Sequence, residues 1–169
     1  MTRRPDAASA RPASLDPLLL YRMSRVIAVA GSMVLRLCEG RFGITRREWR
    51  LIATLAGKGP MGSSELAQQT QLDRVRTSRA LGSLVDKGLV LRQQASGDRR
   101  HVAVALSERG QLIYDDLYPL VTDLNQHLLQ ALGDGQQPFL DGLDRLEARA
   151  LELASQAELP KAPRGRRSG

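Results

Sequence analysis

The stretch SSELAQQTQLDRVRTSRALGSLVDKGLVLRQQASGDRRHVAVALSERG, residues 63–110, holds two helix starts, a glycine stop and an alternating hairpin. Ser63 is placed to cap a short helix through Gln69, and Asp73 a longer one to Lys87, because short polar side chains accept hydrogen bonds from orphan helix amides. Gly88 suits the left-handed residue that ends such a helix. Two helices joined by a turn of about three residues have helix-turn-helix spacing. Leu89–Gln94 and Val102–Leu106 read as short strands joined by a tip at 95–101. Val102, Val104 and Leu106 alternate and are expected to face inward, anchoring the hairpin.

Outward from this centre, Thr45 stands three residues before Glu48, a capping box. Trp49, Ile52, Ala53, Leu55 and Ala56 then form the buried stripe of a helix that Gly57–Pro60 stops. Upstream, Asp16–Glu39 carries apolar residues at helical spacing without internal proline, and Gly40 and Gly43 break it. Downstream, Ser107 caps a helix that Pro119 should bend, and a last helix covers Pro138–Gln156. The fold expected is mostly α with a small β-hairpin wing (α+β): a winged helix-turn-helix flanked by helices at both ends. A generic helical bundle with one hairpin is the plainer alternative.

Charge is uneven along the chain. Residues 15–71 hold eight basic and four acidic groups, residues 72–101 seven and three, and residues 102–157 three and nine. A basic centre followed by an acidic helical region points to a polyanionic partner at the centre. The ends, 1–14 and 158–169, read as basic disordered tails. No apolar run approaches the roughly 20 residues of a membrane span. The N-terminal residues lack a secretory apolar region, and the single cysteine, Cys38, suits a reducing compartment, so a cytoplasmic protein is expected.

On a helical wheel with Leu81 at zero, Leu84 and Val85 define the buried side. Arg79 and Arg76 fall at roughly 160° and 220°, pointing outward near Ser83. Planar guanidiniums on an outward face can pair with guanine edges or phosphates. At the tip, Gly97 allows a tight turn, and Asp98 can orient a guanidinium. Arg99 and Arg100 extend toward a neighbouring minor groove. Solvated arginines with no partner are the bland reading. Catalysis is not expected. His101 and His127 lack a metal-ligand partner, Asp115 and Asp116 diverge on a helix, and neither a phosphate-cradling glycine loop nor a nucleophile elbow is present.

Asp98, Arg100, Val104 and Leu106, with Ser107 in the place of threonine, resemble the wing pattern of the MarR (multiple antibiotic resistance regulator) family of bacterial transcription factors. REWRLIATL, SSELAQQTQLDRVRTSRALGSLVDKGLV and LSERGQLIYDDLYP also look like that family, in order, and the likeness runs from about Asp16 to Gln156. It implies a helical dimerisation region (15–40 and 107–157) and a winged helix-turn-helix DNA-binding domain (44–106). It further implies a homodimeric, ligand-responsive repressor on a pseudo-palindromic double-stranded DNA operator, with half-sites about one helical turn apart.

By position, Arg79 is similar to a base-contacting arginine, and Arg100 to a minor-groove arginine oriented by Asp98. Arg74, Arg76, Thr77, Ser78 and Arg99 are further contributors. Family habit implies no cofactor but a small aromatic acid, or its thioester, as effector. Arg22, Arg25, Arg46, Trp49 and Arg50 are candidates to line its cleft. Trp49 in the core, with the arginines in surface or dimer salt bridges, is the alternative. Two further alternatives are an oxidant sensor acting through Cys38, which needs an accessible thiol of lowered pKa, and a winged-helix structural or interaction module without sequence preference.

Overall fold

A computed structural model describes residues 14–94 and 102–158. The chain runs α1 (Leu19–Arg36), a π turn (Leu37–Arg41), α2 (Arg46–Lys58), β1 (Met61–Gly62), α3 (Ser63–Gln69) and α4 (Arg74–Asp86). It continues with β2 (Val90–Gln94), β3 (Val102–Leu106), α5 (Glu108–Gln130), a 3-10 turn (Gly133–Gly135) and α6 (Gln136–Gln156). One compact unit ends at Val121 and a second begins at Thr122, inside α5.

Three of the four expected caps form. Thr45 and Glu48 make the full capping box: the Glu48 amide donates to Thr45 Oγ1 (3.2 Å), and the Thr45 amide to Glu48 Oε2 (2.6 Å). Asp73 accepts from the Arg76 amide at 2.7 Å. Ser107 Oγ accepts from the Gly110 amide at 3.0 Å. Ser63 does not cap. The chain enters α3 directly from β1, so Gly62 takes the cap position and Ser63 is already helical.

The first helix outlasts its expected stop. Gly40 is carried through in the π turn, and the Ile44 amide beyond it bonds back to Cys38 O at 3.0 Å. Gly43, at φ 63°, then turns the chain. At the end of α4, Gly88 (φ 67°) closes a Schellman pair: its amide reaches Val85 O, and the Leu89 amide reaches Leu84 O, both at 2.9 Å. Between α3 and α4 the left-handed position falls on Gln71 (φ 53°), not on a glycine.

The sheet has a third strand, β1, over residues that the sequence reading assigned to no element. The order is β1-β3-β2, antiparallel throughout, with Met61 opposite Val104 and Arg92 opposite Val104 on the other side. β3 is therefore central. Its burial departs from the expected alternation, since Val104 and Ala105 are both buried and Val102 is 54% exposed. Leu106 is partly buried against the core.

The core of the first unit gathers Ile44, Leu51, Ile52, Leu55, Leu66, Leu81, Leu84, Val90, Val104 and Leu117. It locks α2, α3 and α4 against the sheet, so the exposed side of α4 is held on a rigid support. Burying such a leucine contributes about 1.5–3 kcal/mol. The α4–β2 turn also nests against the start of α5. Ser107 Oγ donates to Gly88 O (2.8 Å), and a Cβ on Gly110 would lie 2.1 Å from Leu89 O. In the second unit no described residue is buried, although Phe139, Leu140, Leu146, Leu151 and Leu153 are large and apolar. On α1, Leu20, Val26, Ile27 and Val29 are likewise exposed.

Candidate nucleic-acid interface

α4 presents Arg74, Arg76, Ser78 and Arg79 on exposed positions. Arg76 is not extended into space: its Nε pairs with Asp73 Oδ2 at 3.0 Å, with both side chains more than half exposed. Thr77 departs from the expected DNA-facing role. It is 1% exposed, and its hydroxyl donates to Asp73 O at 3.0 Å, so it belongs to the packed first turn. Ser83 departs as well. It is half-buried and hydrogen-bonds the Glu48 carboxylate rather than marking the outward side. The tip residues Asp98, Arg99 and Arg100 lie outside the described residues.

Glu48 holds the far end of this helix. Its carboxylate is 2% exposed, yet Lys87 Nζ donates to both oxygens at 2.9 Å and also to Gly43 O at 2.9 Å. Burial pushes the Glu48 pKa up; the Ser83 hydroxyl, the Thr45 amide and Lys87 outweigh it and hold the group below its ordinary value. The start of α2 and the end of α4 are thereby tied by a buried charge whose acceptor sites are used several times over.

A cavity of about 550 Å³ lies along α2, lined by Val34, Arg46, Trp49, Arg50, Ala53, Thr54, Gly57 and Lys58. Three of the five expected cleft residues, Arg46, Trp49 and Arg50, are brought together there. Arg22 and Arg25 are not among the lining residues; both are exposed on α1, and Arg25 pairs with Asp16 at 3.5 Å. Trp49 is both core and wall: 8% exposed, it stacks on Tyr114 at 5.9 Å, which in turn meets Tyr118 at 5.0 Å. Arg50 donates to Thr70 O (3.2 Å), and Lys58 hydrogen-bonds Gln69. The glycine at position 31 makes room for Arg46, whose guanidinium would lie 2.9 Å from a Cβ there.

Cys38 does not meet the requirements of a sensing thiol. It is 0% exposed, and burial pushes its pKa up, Arg46 opposing and Glu39 adding. Burial and the raised pKa both run against the oxidant-sensor alternative.

A second cavity, about 310 Å³, lies between α4 and the sheet and is lined by Ser63, Ser64, Arg74, Thr77, Ser78, Leu81, Arg92, Val102 and Val104. Arg92 escaped the sequence reading. The signal that finds it is register: paired opposite a buried Val104, position 92 lies on the helix-facing side of the sheet, with its side chain exposed.

A three-helix core carrying a three-stranded wing sheet, with a basic outer helix face, defines a winged helix-turn-helix protein. Comparison with known proteins narrows this. The sequence profile described as MarR family matches residues 42–101. The HTH-type transcriptional regulator FarR of Neisseria gonorrhoeae is 31% identical over 100 residues, 59% of this chain and 68% of that protein. The homoprotocatechuate degradative operon repressor of Escherichia coli is 29% identical over 75 residues, 44% of this chain and 51% of that one.

Among solved structures, a MarR-family regulator from Silicibacter pomeroyi is 25% identical, covers 86% of this chain and 94% of its own, and has a TM-score of 0.66. The regulator BldR of Sulfolobus solfataricus, 17% identical with 82% and 99% covered and a TM-score of 0.69, bears on the fold alone. The chain belongs to the MarR family of transcriptional regulators.

Proposed function

We propose that this regulator binds double-stranded DNA sequence-specifically, as a homodimer on a pseudo-palindromic operator, and acts in the cytoplasm as a repressor released by a small aromatic acid or its thioester. The observation that carries the reading is the exposed Arg74, Ser78 and Arg79 face of α4, mounted on a packed core beside the wing sheet. Arg79 reads a base edge, Arg100 enters the minor groove with Asp98 as its orienter, and Arg99 adds a phosphate contact.

Homodimerisation is supported by the exposed apolar residues of α1 and, separately, by the second unit, in which no described residue is buried. Apolar surface of that extent marks an interaction surface. The effector reading is supported by the α2 cavity, where an indole wall stands beside Arg46, Arg50 and Lys58. An aromatic ring can stack there while a guanidinium takes its carboxylate.

Selection of bound fragments from a random DNA pool tests the DNA reading: inverted repeats with half-sites one turn apart are expected. Fragments without a common sequence would favour the interaction-module alternative. For the cavity, Trp49 is the only tryptophan, so titration with benzoate is followed by its fluorescence. Saturable quenching that Arg50→Ala weakens supports an acid-binding site; no change up to millimolar benzoate refutes it for this class of acid.

A further inference from the structure

The large apolar side chains of α4 are Val75, Leu81, Leu84 and Val85. Leu81 and Leu84 are buried, and Val85 packs partly buried against the core. Val75 stands apart from them: it is 60% exposed and belongs to no part of the core. Left in water, it forgoes the stabilisation that burial gives the other three, and valine is a weaker helix former than the arginines on either side of it. On the wheel with Leu81 at zero, Val75 falls at roughly 120°, about 40° from Arg79 and about 60° from Ser78. Spacings of three and four residues place Val75, Ser78 and Arg79 on one strip of α4, and all three are exposed. Arg76 lies about 100° further round the helix, where it is engaged with Asp73 at 3.0 Å.

We propose that Val75 is a specificity-determining residue that recognises thymine, its methyl groups packing on the thymine 5-methyl in the major groove beside the base that Arg79 reads. The surroundings select the occupant. Arg74, Arg76 and Arg79 call for a negatively charged surface, and Val75 calls for one small apolar group set into it. A protein or lipid partner would meet a broad apolar face, whereas Val75 is the single large apolar side chain that α4 exposes. Among the donors and acceptors that line the major groove, the thymine methyl is the apolar group. Thymine also carries its O4 acceptor next to that methyl, and the Ser78 hydroxyl stands next to Val75 on the strip. Val75 lies in the first turn of α4, and the N-terminal residues of a recognition helix are the ones that meet base edges. The inference rests on the DNA-binding reading above and goes beyond it by assigning a base and the group on it that is recognised.

The probe is an operator fragment recovered by selection, with its thymines replaced one at a time by deoxyuridine. That change removes the 5-methyl and leaves base pairing and the hydrogen-bonding edges in place. For the wild type, the change at one thymine of each half-site is expected to weaken binding about fourfold, the worth of one buried methyl. Val75→Ala is expected to bind the thymine and uracil forms alike, about as tightly as the wild type binds the uracil form. A distorted helix would instead weaken both forms and keep their ratio. The unfolding midpoint of Val75→Ala should not fall, because the position is exposed and alanine is the better helix former.

Wild-type binding that is indifferent to uracil at every position overturns the proposal. So does a preference for thymine that survives in Val75→Ala, or a selected operator without thymine. In each of these cases the DNA reading still stands if the wild type prefers the operator to a mixed-sequence duplex at the same salt. Equal affinity for those two duplexes, or binding to neither, sinks the DNA reading and the role of Val75 together.

Discussion

Replacing Glu48 by glutamine keeps the shape of the side chain and removes its charge, which isolates what that charge contributes. In the wild type the carboxylate accepts from the Thr45 amide at 2.6 Å, from Lys87 Nζ at 2.9 Å on both oxygens, and from Ser83. Glutamine has one acceptor oxygen, so an amide N–H2 must face a donor that previously met oxygen. Weakening half of a capping box costs about 1 kcal/mol. Losing a charge-assisted hydrogen bond costs about 1.5–3 kcal/mol. Lys87 is 35% exposed and can turn to water, which discounts the second figure toward its lower end.

The expected loss is therefore about 2–3 kcal/mol, read by urea unfolding at neutral pH. The sign with pH follows from the lowered pKa. The contribution is fully present above the unfolded carboxylate value of about 4.3 and is lost as pH falls through the folded value below it. The difference between wild type and variant should then shrink as pH drops below that range. A double-mutant cycle with Lys87→Met is expected to give a coupling of about 1 kcal/mol or more. A coupling near zero, or a wild-type advantage that persists unchanged in acid, would refute the argument that the pair is what stabilises the junction.

Gly110→Ala should destabilise severely, by about 3 kcal/mol or more, since the added carbon meets Leu89 O at 2.1 Å and backbone must move; a midpoint shift of under a degree would contradict it. Gly31→Ala has the opposite character. The atom it meets is the far end of Arg46, so a helix-propensity gain of up to about 1 kcal/mol offsets the displacement and stability stays close to wild type. Cys38 should resist alkylation by iodoacetamide at neutral pH until urea opens the protein, and rapid labelling of native protein would show that the buried thiol is reachable. Arg79→Ala should cost about 1–3 kcal/mol on the operator and relax preference at one base pair, with equal losses on operator and mixed duplex ruling out base reading.

The helix starts at Thr45, Asp73 and Ser107 were legible because a cap is a local device: one side-chain oxygen meets an amide three residues on. Ser63 has the same chemistry and fails at the task, because the strand before it delivers the chain already aligned for α3. That strand is two residues long and carries no periodicity. Only its partner, β3, reveals it. The same central position explains Ala105, which is buried where alternation alone predicts exposure. Outward arginines on α4 could be read from the wheel, whereas Ser83 and Thr77 could not be sorted, since their places depend on Glu48 and on a backbone carbonyl. Arg92 needed the pairing of two strands, knowledge that no single segment carries.

Gln71 shows where the geometry of the helix pair originates. A side chain with a Cβ pays roughly 1–2 kcal/mol to stand in the left-handed region, a position glycine takes at almost no cost. A turn whose own preference runs against its shape does not dictate the angle between the helices it joins. The packed undersides of α3 and α4 dictate it, and the connecting residue complies.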